Sequence, residues 1–202
     1  MKKGCLLAAG LTGVWLLTSC AGGNQAKDRM QAAQAVYRTM SGCTAQAEIT
    51  ADYGQRVYGY IVDLTAAGGS GVMTVKEPET IAGTVLTWSD GETQLEYDGA
   101  ELDTGSLSDQ GLSPADAMPT ILTACQNGAI VDCCMEEQDG RETLHSTLDW
   151  DGDQGGQLQC WFRPEDYSLL RAELSQDGVT VITMVFSDFS FTFPEDGVEA
   201  GT

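Results

Sequence analysis

Turn signals recur along residues 43–193 at intervals of roughly 8 to 15 residues, with short β-prone runs between them. Parallel strands need crossover connections of a dozen or more residues, so this rhythm restricts the chain to antiparallel pairing of neighbours. Asp98-Gly99 is one of the strongest short hairpin signals. Ser89-Asp90-Gly91, Asp139-Gly140, Pro164-Glu165-Asp166 and Gln176-Asp177-Gly178 mark further turns. The first series predicts strands over residues 43–51, 56–65, 71–75, 83–88 and 93–97. In the first of these Cys43, Ala45, Ala47, Ile49 and Ala51 alternate with polar positions, as one buried face requires. The second series covers residues 129–136, 142–150, 157–163, 169–175 and 179–193.

Two stretches break the rhythm. Met30, Ala33, Val36, Tyr37 and Met40 fall at helical spacing, and Gly42 supplies a stop, so residues 27–40 read as one amphipathic helix. Ser113-Pro114-Ala115-Asp116 is an N-cap serine with proline at the first helical position. Met118, Ile121, Leu122 and Cys125 then give one apolar side, ending at Asn127-Gly128, and Pro119 lies near the start where it does least harm. The class is therefore α+β, an antiparallel meander with helices on one side. In residues 179–186 both faces are apolar, with Val179, Val181 and Val185 alternating with Ile182, Met184 and Phe186. That pattern predicts cover on both sides, and Phe189, Phe191 and Phe193 share one face.

The amino terminus addresses location. Met1-Lys2-Lys3 precedes an apolar core over residues 5–17, too short for the roughly 20 residues that a spanning helix needs. It ends in Leu17-Thr18-Ser19-Cys20, which resembles the bacterial lipobox. The resemblance implies a signal peptide over residues 1–19 and a diacylglyceryl group on Cys20, with acyl chains of the palmitate class. It places the protein at the extracytoplasmic face of the cell membrane. Residues 20–26 then serve as lipidated cysteine and flexible tether, residues 27–194 as one domain, and residues 195–202 as a disordered acidic tail. Loss of Lys2 and Lys3 takes the net charge from −20 to −22. So acidic a surface repels nucleic acid and anionic membrane, which leaves the acyl chains as the membrane attachment.

With Cys20 lipidated, Cys43, Cys125, Cys133, Cys134 and Cys160 remain, an odd number. A bridge from Cys125 to Cys133 or Cys134 across the Gly128 turn is one reading, and buried free thiols are the other. No paired C-x-x-C occurs and the only histidine is His145, so no metal or cofactor is assigned. Alternation puts His145 on the solvent side of its strand, and no nucleophile triad, glycine-rich phosphate loop or H-E-x-x-H motif accompanies it. The chain reads as non-enzymatic. Asp149-Trp150-Asp151-Gly152-Asp153 has alternating carboxylates as calcium loops do, but Gln154 and Cys160 occupy the positions of the glycine and the bidentate glutamate. An exposed hairpin loop is the better reading.

The order of lipobox, helix, strands, mid-chain helix and second strand series resembles the LolA/LolB-like superfamily. That group comprises periplasmic lipoprotein carriers, mycobacterial lipid-binding lipoproteins and clostridial germination lipoproteins. The residues that carry the likeness are Val72-Met73-Thr74-Val75-Lys76-Glu77-Pro78 with Tyr97-Asp98-Gly99, and Trp161-Phe162-Arg163-Pro164-Glu165-Asp166-Tyr167-Ser168. To these is added the Asp177-Gly178 turn before Val185-Phe186-Ser187-Asp188-Phe189. The resemblance implies an incomplete antiparallel barrel, a half-barrel with an N-terminal and a central helix covering one face. It also implies an apolar cavity for an acyl or lipid ligand, lined here by Met118, Ile121, Leu122, Ile182, Met184 and Phe186. The alternative is a filled core, with the scaffold serving as a structural or interaction module for another envelope or spore protein. The soluble carriers have no anchor of their own, so the lipobox favours the anchored relatives.

Overall fold

The computed structural model describes residues 22–89, 91–103, 112–138, 140–150 and 156–194. Helix α1 (Gly22–Thr39) leads into six strands: β1 (Gly42–Asp52), β2 (Val57–Ala67), β3 (Ser70–Glu77), β4 (Val85–Ser89), β5 (Glu92–Tyr97) and β6 (Ala100–Asp103). Helix α2 (Pro114–Asn127) follows. Five more strands close the domain: β7 (Ala129–Gln138), β8 (Arg141–Asp149), β9 (Gly156–Phe162), β10 (Leu169–Gln176) and β11 (Val179–Thr192). All eleven join one antiparallel sheet in the order β6-β5-β4-β3-β2-β1-β11-β10-β9-β8-β7. The sheet stays open, because β6 and β7 lie at its two edges, and the two helices cover part of one face. This is the expected half-barrel.

Local chemistry explains the hairpins. Asp98-Gly99 and Asp177-Gly178 both place two successive residues at positive φ (51° then 76° in each pair), the primed turn that matches strand twist. α2 begins where Ser113 accepts from the Asp116 amide (3.2 Å) and donates back to its carboxylate (2.8 Å). Between β9 and β10, Asp166 accepts from the backbone and hydroxyl of Ser168 (3.0 and 2.7 Å) and from Arg163 (3.1 Å). Burial works to raise its pKa, but these bonds outweigh it and hold the carboxyl below its ordinary value. The adjoining Tyr167 carbonyl accepts from the Tyr37 hydroxyl (3.1 Å), which ties α1 to this turn.

The inner face of the central strands pairs alanine with a large residue at two of three positions. Ala47 lies opposite Phe186, Ile49 opposite Met184 and Ala51 opposite Ile182. A bulge at Ala45, where Asp188 has a φ of 53°, inserts one extra residue into β11. It switches the inward parity from Ile182, Met184 and Phe186 to Phe189 and Phe191. Both sets therefore reach the core. Phe186 and Phe189 meet edge to face at 5.8 Å, and the Tyr37 ring meets Phe162, Phe189 and Phe191 at 5.9, 6.4 and 5.1 Å.

Two expectations are corrected. α1 begins at Gly22 and not at residue 27, and Ala26 is buried, so part of the expected tether belongs to the helix. The outer face of β11 is not covered: Val179 is 64% and Val185 44% exposed. Those valines serve strand propensity on a wet face, while Ile182, Met184 and Phe186 are the buried set. Phe193, at the end of the aromatic row, is half exposed.

Gly71 lies opposite Trp88, and a Cβ there would meet three atoms of the indole ring at 2.0 to 2.5 Å. Gly71→Ala should therefore destabilise the domain by about 1–3 kcal/mol, read as a lower urea midpoint at unchanged slope. An unaltered midpoint would show that the indole does not pack on this strand.

Candidate functional site

An apolar cleft opens on the inner face of the first strand series. Its floor is Ile49 of β1, Tyr60 and Val62 of β2, Met73 and Val75 of β3, Leu86 of β4 and Leu95 of β5. Ile81, in the helical turn after β3, forms one wall, and the first turn of α2 (Ser113, Pro114, Ala115) forms the other. Asp116 fixes that turn over the sheet by accepting from Thr93 of β5 (3.4 Å). The volume is about 200 Å³. The polar groups in the wall are already engaged, since Thr84 donates to the Ile81 carbonyl (2.7 Å) and Ser113 to Asp116 (2.8 Å). Burial, then Tyr58, raises the Tyr60 phenol above its ordinary value, so it stays neutral. The lining offers dispersion and desolvation, and no charge.

The six residues expected to line a cavity lie elsewhere. Met118, Ile121, Ile182 and Met184 have no exposed surface, Phe186 and Leu122 are buried, and all six belong to the same packed core as Ile49, Val62, Met73, Val75 and Leu86 of the cleft floor. None of them lines the apolar cleft. The reason is cover. α1 packs on α2, β7 and β8, and Met30, Ala33 and Tyr37 complete the interior there. Across β2 to β5, by contrast, the wall of the cleft comes from the first turn of α2. Sequence reasoning placed both helices on the sheet but could not say which strands would border a cleft. A larger depression of about 520 Å³ at Pro119, Thr123, Asn127 and Trp150 is open and mixed in polarity. Cys20, residues 195–202 and most of the acidic loop after Trp150 lie outside the described residues.

The cysteines are also rearranged relative to expectation. Cys125 faces Cys160 of β9, with sulfurs 3.9 Å apart, and not Cys133 or Cys134 on edge strand β7. Cys43, Cys125 and Cys160 are buried free thiols. Burial, then Cys125, pushes the Cys43 thiol up to about 11, and burial, then the contact with Cys125, raises that of Cys160. His145 departs from a plain solvent-side position. It is half-buried on the outer face, its ring stacked on Trp161 at 4.4 Å, with Glu136 and Cys134 as its polar neighbours.

No protein-family model matches the chain, and no curated protein matches it. Solved structures do align with it. A LolA superfamily protein from Nitrosomonas europaea is 10% identical (TM-score 0.43), the match covering 85% of this chain and 95% of that one. The lipoprotein LppX from Mycobacterium tuberculosis is 13% identical (TM-score 0.45), covering 82% and 95%. MucB in its complex with MucA from Pseudomonas aeruginosa is 14% identical (TM-score 0.42), covering 88% and 61%. Structural neighbours of this chain thus include LolA-superfamily and lipoprotein structures. At these identities and TM-scores they assign it no ligand, partner or activity.

Brief alkylation of the folded, chelator-treated protein should modify Cys134, which is exposed, and spare Cys43, Cys125 and Cys160 until denaturant is added. Labelling of Cys125 or Cys160 at the denatured rate, read by peptide mass spectrometry, would contradict the packed interior.

Proposed function

We propose that this chain is a membrane-anchored extracytoplasmic lipoprotein, attached through Cys20, that holds a hydrophobic acyl segment in the cleft over β1 to β5 without chemical change. The observation that carries the proposal is a lining of Ile49, Val62, Met73, Val75, Leu86 and Leu95, with the Thr84 and Ser113 hydroxyls already bonded. Its size sets the scale. About 200 Å³ lies below the roughly 300–1,000 Å³ of pockets that enclose a drug-sized ligand, so the cleft suits part of one chain and not a whole lipid. Each methylene leaving water contributes about 0.8 kcal/mol, so five would give about 4 kcal/mol, an affinity near 1 mM. Anchoring offsets this weakness by holding the cleft where acyl chains are concentrated.

A fluorescent fatty-acid probe should bind the purified protein with an affinity near 1 mM. Leu95, half-buried in the floor, is the position to charge: Leu95→Glu should weaken probe binding at least about tenfold, or 1.4 kcal/mol, with far-ultraviolet circular dichroism unchanged. A protein that rejects the probe at millimolar concentration overturns the ligand assignment. Replacing Cys20 by serine should release the protein from membranes, and continued membrane association would overturn the anchor.

The filled interior beneath the two helices favours a second reading, a structural or interaction module for another envelope protein. It gains if the empty protein retains a stable protein complex that Leu95→Glu does not disturb.

A further inference from the structure

On the outer face, opposite the cleft, one cross-strand row contains Cys134 of β7, His145 of β8, Trp161 of β9 and Arg171 of β10. Glu136, two residues along β7 from Cys134, reaches the same spot. Its Oε2 is 3.5 Å from His145 Nδ1, and Cys134 Sγ is 4.0 Å from that same nitrogen. The three ligand atoms all lie within 4.8 Å of one another. From these distances and this donor set we infer that Cys134, Glu136 and His145 form a binding site for a zinc-class divalent cation.

The dimensions fit. Zinc bonds of about 2.3 Å to sulfur and 2.0–2.2 Å to nitrogen or oxygen, at tetrahedral angles, give ligand-to-ligand edges of about 3.3–3.6 Å. The nitrogen–oxygen edge already has that length, and the sulfur, 4.0 Å from the nitrogen and within 4.8 Å of the oxygen, closes to it by a movement of up to about 1 Å. Cys134 is exposed on an edge strand, so that shift meets little packing. The charge fits too. One thiolate and one carboxylate neutralise a divalent ion, with the imidazole neutral. A mixed thiolate, imidazole and carboxylate set suits zinc better than calcium or magnesium, which take oxygen ligands, or copper(I), which favours thiolates and thioethers. Three protein ligands leave a fourth position open to water or another donor.

The surroundings orient the ligands. Trp161 Nε1 donates to Glu136 Oε1 (2.6 Å), which leaves Oε2 toward His145. The indole plane lies 6° from that of the imidazole at 4.4 Å and fixes the ring. His145 Nε2 is buried without a hydrogen-bond partner, so Nδ1 is the nitrogen presented to a ligand. Arg171 lies 5.6 Å from the Trp161 ring centre and is bonded to Glu173, so its charge is occupied away from the three donors. Such outer partners are worth about 10–100-fold in metal affinity. A cysteine–histidine nucleophile is the competing use of this pair. It would need a lowered thiol pKa, whereas burial, then Glu136, Asp132 and Cys133, raise that of Cys134. A bound cation reverses this trend by displacing the thiol proton.

The test is titration of the purified, metal-free full chain with Zn²⁺ by calorimetry, together with Co²⁺ absorption and alkylation of Cys134. One equivalent should bind, cobalt should give a thiolate charge-transfer band, and zinc should protect Cys134 from alkylation. Cys134→Ser and His145→Ala should each weaken binding at least about tenfold. Trp161→Phe, which keeps the ring but loses the bond to Glu136, should weaken it about tenfold or more, and Cys133→Ser should leave it unchanged. Absence of stoichiometric binding by the wild type overturns the site. So does binding that survives both Cys134→Ser and His145→Ala, because that would be diffuse association with surface carboxylates.

Discussion

The pairing of β1 with β11 makes this molecule one structure. Each of the two meanders is held by local hairpin contacts, and within the sheet the register from Gly42–Thr192 to Ala51–Ile182 joins them. The pairing is specified by shape: Ala51, Ala47 and Cys43 on β1 receive Ile182, Phe186 and Phe191 from β11, and Ile49 meets Met184. A slip by one residue would turn those large side chains to water, so burial itself fixes the register. The bulge at Asp188 is part of the same solution, because it lets the aromatic end of β11 reach Tyr37.

From that seam the two halves diverge. Over β7 to β11 the inner face meets α1 and α2 and closes into a packed interior, as protein interiors normally do. Over β1 to β5 the same face meets the first turn of α2, capped by Ser113, and a cleft remains. A half-barrel whose one half is packed beneath its helices and whose other half borders an apolar cleft can hold an apolar segment while keeping one continuous core. The outer faces differ as well. Near β2 and β3 the surface is polar, with Lys76 and Gln46 bonded to Asp63. Near β7 to β10 it carries the row from Cys134 to Arg171.

Much of the architecture was legible from residues alone. Asp98-Gly99 and Asp177-Gly178 encode their turns because few other pairs accept two positive φ angles in succession, and Ser113-Pro114 encodes the start of α2 because cap and proline agree. The alternation of β1 exposed its buried face directly. What escaped was non-local. The resemblance implies a cavity at Met118, Ile121, Leu122, Ile182, Met184 and Phe186, but apolar helix and strand positions that face one another pack together. The valines of β11 read as buried, although strand propensity and burial select the same residue type. The cluster of Cys134, Glu136 and His145 spans two strands and has no linear spacing rule. Only the register of β7 against β8 brings it together. A hint existed in that both strands flank the Asp139-Gly140 turn, so counting outward from the hairpin would have placed Cys134 opposite His145.

The account rests on a division between a solid interior and an accessible cleft. Methyl-detected nuclear magnetic resonance in the presence of dissolved xenon, which enters dry apolar space, tests it most directly. The methyl signals of Val62, Val75, Ile81, Leu86 and Leu95 should shift with xenon pressure, while those of Met118, Ile121, Ile182 and Met184 stay fixed. Shifts centred on the second group would place the empty space beneath the helices and contradict the account.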